Sequence, residues 1–301
     1  MSFPRRLCWA IFAPTFSLAM GIMLFPSLSQ IACADDPVDD AEKQAALARK
    51  ERYTNWMRTY AEGTRIKIAA AGEADADEEQ LAELVPNPVF RYSDEERAIP
   101  DATLWVWTRD GRPVAFQKIE GNNHGGGQAW TICFASLSEG LIRVDWPMGR
   151  KYAAREPGVT FNPIPRAEAP ADNSRARTAQ LKALKERFTG RLGVNNDGKG
   201  GAETRTMPKP IFEYANPETK LPLGAIFGMT STGTNPDLLL LIEARRDGDG
   251  KWRWEYAHAR MTSSSVRVRL DDAEVWAEGF APVSNAVFEN WTFYFLRRDF
   301  K

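Results

Sequence analysis

The sequence predicts an α+β protein of two tandem related units, each an N-terminal amphipathic helix followed by an antiparallel β-meander of about four strands. Three observations carry that reading. Pro86-Asn87-Pro88-Val89-Phe90-Arg91-Tyr92 returns 122 positions later as Pro208-Lys209-Pro210-Ile211-Phe212-Glu213-Tyr214. Each copy is preceded by apolar residues at helical spacing and followed by residues alternating with the period of a strand. Asp110-Gly111 then punctuates the alternation where a hairpin needs left-handed backbone. The repeat register continues through Glu96 and Glu218, Ile99 and Leu221, Pro100 and Pro222, Leu104 and Ile226, and Trp105 and Phe227. Shorter echoes pair Lys50 to Thr54 with Lys185 to Thr189, Ile119-Glu120 with Ile242-Glu243, Trp130 with Trp254, and Ile142-Arg143-Val144 with Val266-Arg267-Val268. Such self-similarity reads as a duplicated structural unit.

Residues 1–34 read as an export signal. Arg5 and Arg6 supply the positive end, Leu7 to Phe25 the apolar stretch, and Ala32-Cys33-Ala34 the small-x-small pattern for cleavage after Ala34. Two alternatives stand beside this: a membrane anchor left uncleaved, and a lipid-modified Cys33, against which Gln30 occupies the place usually held by Leu. The first unit then covers 35–166. Asp36 suits an N-cap and Pro37 the first helical position, and Tyr53, Trp56, Met57 and Tyr60 form one apolar stripe. Thr103 to Thr108 and Pro113 to Ile119 flank the Arg109-Asp110-Gly111-Arg112 turn as a hairpin, and Ala129 to Ser136 and Leu141 to Trp146 follow as strands.

Ala169-Pro170-Ala171 lies in a linker, 167–174. In the second unit, 175–301, Asn173 or Ser174 caps a helix whose stripe is Leu181, Leu184, Phe188 and Leu192. Strands follow at Ala225 to Met229, Asp237 to Ala244, Lys251 to Met261 and Ser265 to Leu270. Leu238-Leu239-Leu240-Leu241-Ile242 is apolar on both faces, as a central strand covered from two sides requires. Phe161-Asn162-Pro163-Ile164 recurs as Phe280-Ala281-Pro282-Val283, an extended tail for each unit. Trp291 to Leu296 is one more strand, without a counterpart, that either edges its own sheet or crosses to the other unit. Glu73 to Gln80 and Asn195 to Gly201 read as solvated connections.

Beyond the signal the chain keeps 37 basic and 40 acidic residues, an ordinary surface balance with no concentrated basic face for nucleic acid. No stable membrane span is expected after cleavage. Of three cysteines, Cys8 and Cys33 leave with the signal, so Cys133 has no internal partner and packing alone holds the fold.

The residues that could carry chemistry are scattered. His124 sits in a Gly-rich loop with no second histidine or paired carboxylate at ligand spacing. His258 lies on the aromatic face of a strand with Trp252, Trp254 and Tyr256, where a hydrogen-bonded, partly buried imidazole is expected. Gly125-Gly126-Gly127 lacks the Lys-Ser/Thr and helix start of a phosphate loop. Asp247-Gly248-Asp249-Gly250 lacks the later ligands of a calcium loop and reads as a turn. Cys133 corresponds in the repeat to Ala257, so a small strand position explains it. The sequence therefore assigns no catalytic residue, no metal ligand and no cofactor, and leaves any ligand-binding residues unknown. Trp105, Trp107, Trp130, Trp252 and Trp254 form either a ligand platform or a buried layer, and burial is the expectation.

Pro236 to Arg245, Trp254 to Thr262 and Ile164-Pro165 resemble a family of exported bacterial proteins with no assigned function, most clearly over 208–276. The resemblance implies export and one architecture for both units, and carries no activity or cofactor. Two functions are open. The first is an exported, non-catalytic binding or envelope-associated module with an unknown envelope or extracellular partner. The second is a hydrolase-like enzyme with its site in the cleft between the units, with His124, His258 and Arg260 as members.

Overall fold

The computed structural model describes residues 37–69, 80–122, 129–194, 200–216, 221–282 and 290–297. The expected signal, the Asp36 cap, the His124 loop, 70–79 and 195–199 lie outside them. The chain divides into two compact units, 1–44 and 45–301. Of the first, the described part is the opening of helix α1 (Pro37–Glu62), which continues into the second.

Strands follow α1 in chain order: β1 (Arg65–Ile68), β2 (Gln80–Leu81), β3 (Glu83–Leu84), β4 (Phe90–Asp94), β5 (Ile99–Arg109), β6 (Arg112–Asn122), β7 (Ala129–Ser136), β8 (Ile142–Asp145), β9 (Lys151–Ala153) and β10 (Asn162–Pro163). Helix α2 (Ser174–Lys185) opens the rest, capped by Asn173, whose side chain accepts from the Ala176 amide at 2.8 Å. Then come β11 (Phe188–Leu192), β12 (Ala202–Thr206), β13 (Phe212–Asn216), β14 (Leu221–Thr230), β15 (Leu238–Arg246), β16 (Trp252–Arg260), β17 (Val266–Leu270), β18 (Ala273–Glu278) and β19 (Trp291–Arg297).

These strands make three antiparallel sheets. The front sheet runs β19-β7-β6-β5-β3 with β4 also on β5, the rear sheet runs β10-β16-β15-β14-β12-β11-β17-β18 with β13 on β14, and the small sheet runs β2-β1-β8-β9. Alternation along the strands sets three buried layers. Leu104, Val106, Phe116 and Cys133 from the front sheet meet Ile226, Leu239, Leu241, Ala257 and Ala259 from the rear sheet in the middle. The outer face of the front sheet, with Trp105, Trp107, Trp130 and Phe134, is covered by Tyr53, Met57 and Tyr60 of α1 and by Ile66, Ile142 and Val144 of the small sheet. The outer face of the rear sheet, with Phe227, Leu240, Ile242 and Trp254, is covered by Leu181 and Leu184 of α2 and by Phe188, Val266 and Val268.

The expected α+β pair of helix-plus-meander units is thereby overturned. The protein is mainly β, with two α-helices among the described residues. One helix is too narrow to cover a sheet of long, doubly apolar strands, so short strands complete each outer layer. Phe188 and Leu192 belong to such a strand, β11, and not to the helix stripe. The match of Lys50 to Thr54 with Lys185 to Thr189 likewise stops at sequence, since the first segment stays inside α1 while the second leaves α2.

Other expectations stand in place. The β5–β6 hairpin turns on Asp110 (φ 50°) and Gly111 (φ 76°), and Leu238 to Ile242 are buried throughout. Phe90 pairs with Leu104, Tyr92 with Ala102, and Asp94 with Ile99 across a bulge. Phe212 pairs with Ile226, Tyr214 with Gly224, and Asn216 with Leu221 across a bulge at the corresponding place. The chain ends are exchanged. β10 joins β16 in the rear sheet, while β19 crosses back to pair with β7 along its whole length in the front sheet.

Candidate functional site

At one end of the seam between front and rear sheets, polar residues replace the apolar layer. On β6 the inward face runs Phe116, Lys118, Glu120, Asn122, so the alternation that buries Phe116 also buries a cation, an anion and an amide. Lys118 is 3 % exposed, Glu120 7 % and Asn122 3 %. Burying such groups is costly unless they are paired, and the pairing comes from both sheets. The Lys118 ammonium donates to Asn235 Oδ1 at 2.8 Å and the Pro236 carbonyl at 3.1 Å, and lies 3.5 Å from Glu120. Glu120 Oε1 accepts the Tyr92 hydroxyl at 2.6 Å. Asn235 Nδ2 stands 3.4 Å from both Glu120 and Asp94 carboxylates.

A second set adjoins it. Arg97, in the β4–β5 turn, donates to Asp237 at 2.9 Å and Ser231 at 3.0 Å, and lies 3.5 Å from Asp94. The other oxygen of Asp237 accepts from the amide and hydroxyl of Ser231. Burial, and next the Glu120 charge, hold the Tyr92 hydroxyl well above its ordinary pKa, so it stays a donor.

Here the seam opens into a cavity of about 560 Å³, within the ordinary range for small-ligand sites. Arg97, Lys118, Glu120, Asn122, Thr131 and Cys133 face Asn235, Asp237 and Thr262 to Ser264, and Trp291, Phe293 and Phe295 of β19 form an aromatic wall. Asn122 Oδ1 is buried without a hydrogen-bond partner among the described residues. Burial pushes the Cys133 thiol up to about 11, and Trp291 Nε1 donates to its sulfur at 3.2 Å. That thiol is a packed wall atom with no activating base, not a nucleophile.

At the far end of the seam a matching cluster is crossed by an arginine and borders a smaller cavity of about 280 Å³. Glu243 accepts the Tyr214 hydroxyl at 3.0 Å, as Glu120 accepts that of Tyr92, but its other oxygen is held by Arg112 Nε at 2.8 Å. Arg112 reaches across from β6, and Arg245 lies 3.2 Å from Glu255 beside it. The sequence register that aligns Glu120 with Glu243 aligns Asn235 with Arg112. The shorter amide leaves open what the guanidinium occupies at the other end.

No family model, characterised protein or solved structure matches this chain.

The residues singled out in the sequence fall elsewhere. His258 points to the outer face of the rear sheet, stacked on Trp276 at 5.5 Å and edge-on to Phe188 at 5.6 Å. The expected hydrogen-bonded, partly buried histidine is corrected on both counts. It is 7 % exposed, and neither ring nitrogen has a hydrogen-bond partner of good geometry among the described residues. Burial lowers its pKa to about 3; the nearby Leu239 backbone opposes this weakly, without hydrogen-bond geometry to the ring. Arg260 is tied to the carbonyls of Thr262, Ser263, Ser264 and Gly279, so it positions the loop that borders the cavity. Trp105, Trp107, Trp130 and Trp254 are each about 1 % exposed and Trp252 is half-buried, which makes them layers of the core. Asp247 Oδ1 accepts the amides of Asp249 and Lys251, an ordinary turn. Among the described residues no cluster of three or more His, Cys, Asp and Glu could hold a metal, and no helix is long and apolar enough to cross a membrane.

The cavity residues escaped sequence reasoning because Lys118, Glu120, Asn235 and Asp237 lie at no recognisable motif spacing. One signal was present: charged residues on the inward face of a strand whose other inward positions are apolar.

Proposed function

We propose that this is an exported, non-catalytic binding protein that takes a small polar ligand into the cavity between the front and rear sheets. The observation that carries the reading is the contrast between the two ends of the seam. Both hold a buried tyrosine–glutamate pair, yet at one end Arg112 takes the second glutamate oxygen beside a cavity of about 280 Å³, while the other end opens onto one of about 560 Å³ walled by aromatic and polar groups. Buried ion pairs add little net stability, so an open polar cluster is better accounted for by a ligand than by folding. The Arg5-Arg6 and apolar start of the chain supports export, and the shared bulged register of β4–β5 and β13–β14 supports descent of both halves from one doubled unit.

A thermal-shift screen of residues 35–301 against amino acids, dipeptides, mono- and oligosaccharides and small organic acids tests the reading. At least one class is expected to raise Tm, and Asn122→Leu to abolish that shift. A flat response to the whole panel, or a shift that Asn122→Leu leaves unchanged, would reject it. A hydrolase is the second reading, favoured by two carboxylates, Asp94 and Glu120, brought to one amide nitrogen at 3.4 Å. Turnover of nitrophenyl glycosides or esters that Glu120→Gln removes would establish it in place of simple binding.

A further inference from the structure

Resting on that reading, we infer that the cavity ligand is an uncharged carbohydrate whose ring lies along the β19 aromatic wall. Charge is the first argument. The lining holds two cations, Arg97 and Lys118, and two anions, Glu120 and Asp237, and each has a partner of opposite charge within 3.5 Å. All three ammonium donors of Lys118 have an acceptor nearby. Arg97 spends donors on Asp237, Ser231 and Asp94, and both oxygens of Asp237 are occupied. The two cations and two anions of the lining balance one another, so a charged ligand would bring a net charge into the cavity that a neutral one does not.

The second argument is the kind of contact left over. Among the described residues Asn122 Oδ1 is a buried acceptor without a donor, while its Nδ2 is bonded to Thr131, and a buried acceptor in that state is costly until a donor arrives. A hydroxyl group supplies it. Phe295 is 55 % exposed at the same cavity, with half-buried Phe293 two positions before it and its ring 5.6 Å away. Flat aromatic surface beside hydrogen-bonding groups suits a ligand with one C–H face and a rim of hydroxyls. A pyranose has both. A dipeptide carries two charges the cavity cannot use, and an aliphatic ligand would leave the polar half bare.

Three probes with one ring and different charge decide the matter: glucose, glucuronate and glucosamine, each also as the β-1,4-linked disaccharide where available, measured by calorimetry and by saturation-transfer NMR on residues 35–301. The neutral sugars are expected to bind at least about tenfold more tightly than either charged analogue. Asn235→Arg, which puts at this end a guanidinium like the one that binds Glu243 at the other, is expected to weaken neutral-sugar binding at least about tenfold. Phe295→Ala alters only an exposed ring and is expected to do the same without changing Tm, so a folding defect in the first variant does not obscure the result. Preferential binding of a charged sugar or of a non-sugar, lost in Asn235→Arg, overturns the carbohydrate assignment and keeps the cavity as a binding site. Neutral-sugar binding that survives both variants overturns the placement. No binding of any solute overturns this inference together with the reading beneath it.

Discussion

Lys118 and Glu120 sit where Phe116 would lead one to expect more apolar side chains, and their neighbours from the rear sheet are what make that tolerable. Lys118 would have no such set of acceptors without the Asn235-Pro236-Asp237 segment. His258 shows the opposite case, a buried titratable group without a hydrogen-bond partner of good geometry among the described residues. Its folded pKa of about 3 lies below the ordinary 6.5. Above pH 6.5 both states are neutral and nothing changes. As pH falls from 6.5 toward 3 the unfolded chain takes up a proton that the folded chain refuses, so stability drops. The loss grows through that window as the unfolded chain gains up to one proton per molecule. His258→Phe should flatten the dependence of the urea midpoint between pH 6.5 and 4, and an unchanged slope would count against the assignment. Asp271, lowered to about 2 by Arg187 and then Arg166, acts in a separate window, its contribution present above 3.8 and lost as pH falls toward 2. At this scale the sequence was legible where side-chain type dictates burial, as with Trp105, Trp107 and Trp254. It was illegible for Glu120 and Asn235, which are 115 positions apart and adjacent only through folding.

Strands were read far better than the layers they form. The β7 range was legible to the residue, and the Asp110-Gly111 hairpin by its position, because period-2 alternation and turn residues are local properties. Short elements such as β1, β9 and β18 were missed, since their few residues show no clear apolar alternation bounded by turn residues. Close approach within β13–β14 gives a sharp test. A Cβ on Gly224 would lie 2.3 Å from the Tyr214 ring, which holds Glu243, whereas Ala102 is accommodated opposite Tyr92 in the corresponding pair. Gly224→Ala should therefore cost about 1–3 kcal/mol, read as a lower urea midpoint at unchanged slope; a neutral result would show that Tyr214 shifts freely. Strand β19 offers a larger effect. A chain ending at residue 290 removes buried Trp291 and Tyr294 and bares the outer edge of β7. It should bind a hydrophobic dye and self-associate, and a monomeric, dye-negative truncation would mean that β19 is dispensable.

Across the whole molecule, two β-sheets face each other and each carries its own outer cover of one helix and short strands. The sequence repeat pointed to two structures side by side, and it could not reveal that their main contact is sheet against sheet. The reason is physical: strands such as Leu238 to Ile242 show that both faces are covered, not by what. Because the middle layer takes residues from both sheets and the ends are exchanged, residues 45–301 should melt in one transition, with calorimetric and van't Hoff enthalpies in agreement. Two resolved transitions would show that the halves are autonomous. The exchange also bears on how the protein is made. The strand that closes the front sheet, Trp291–Arg297, leaves the ribosome some 160 residues after its partner β7. No sheet contact of that kind forms early in synthesis, and pairings so distant along the chain fold slowly. Until β19 emerges, the half-made front sheet has an open edge, so the newborn protein needs either a chaperone or a delay until that strand is free.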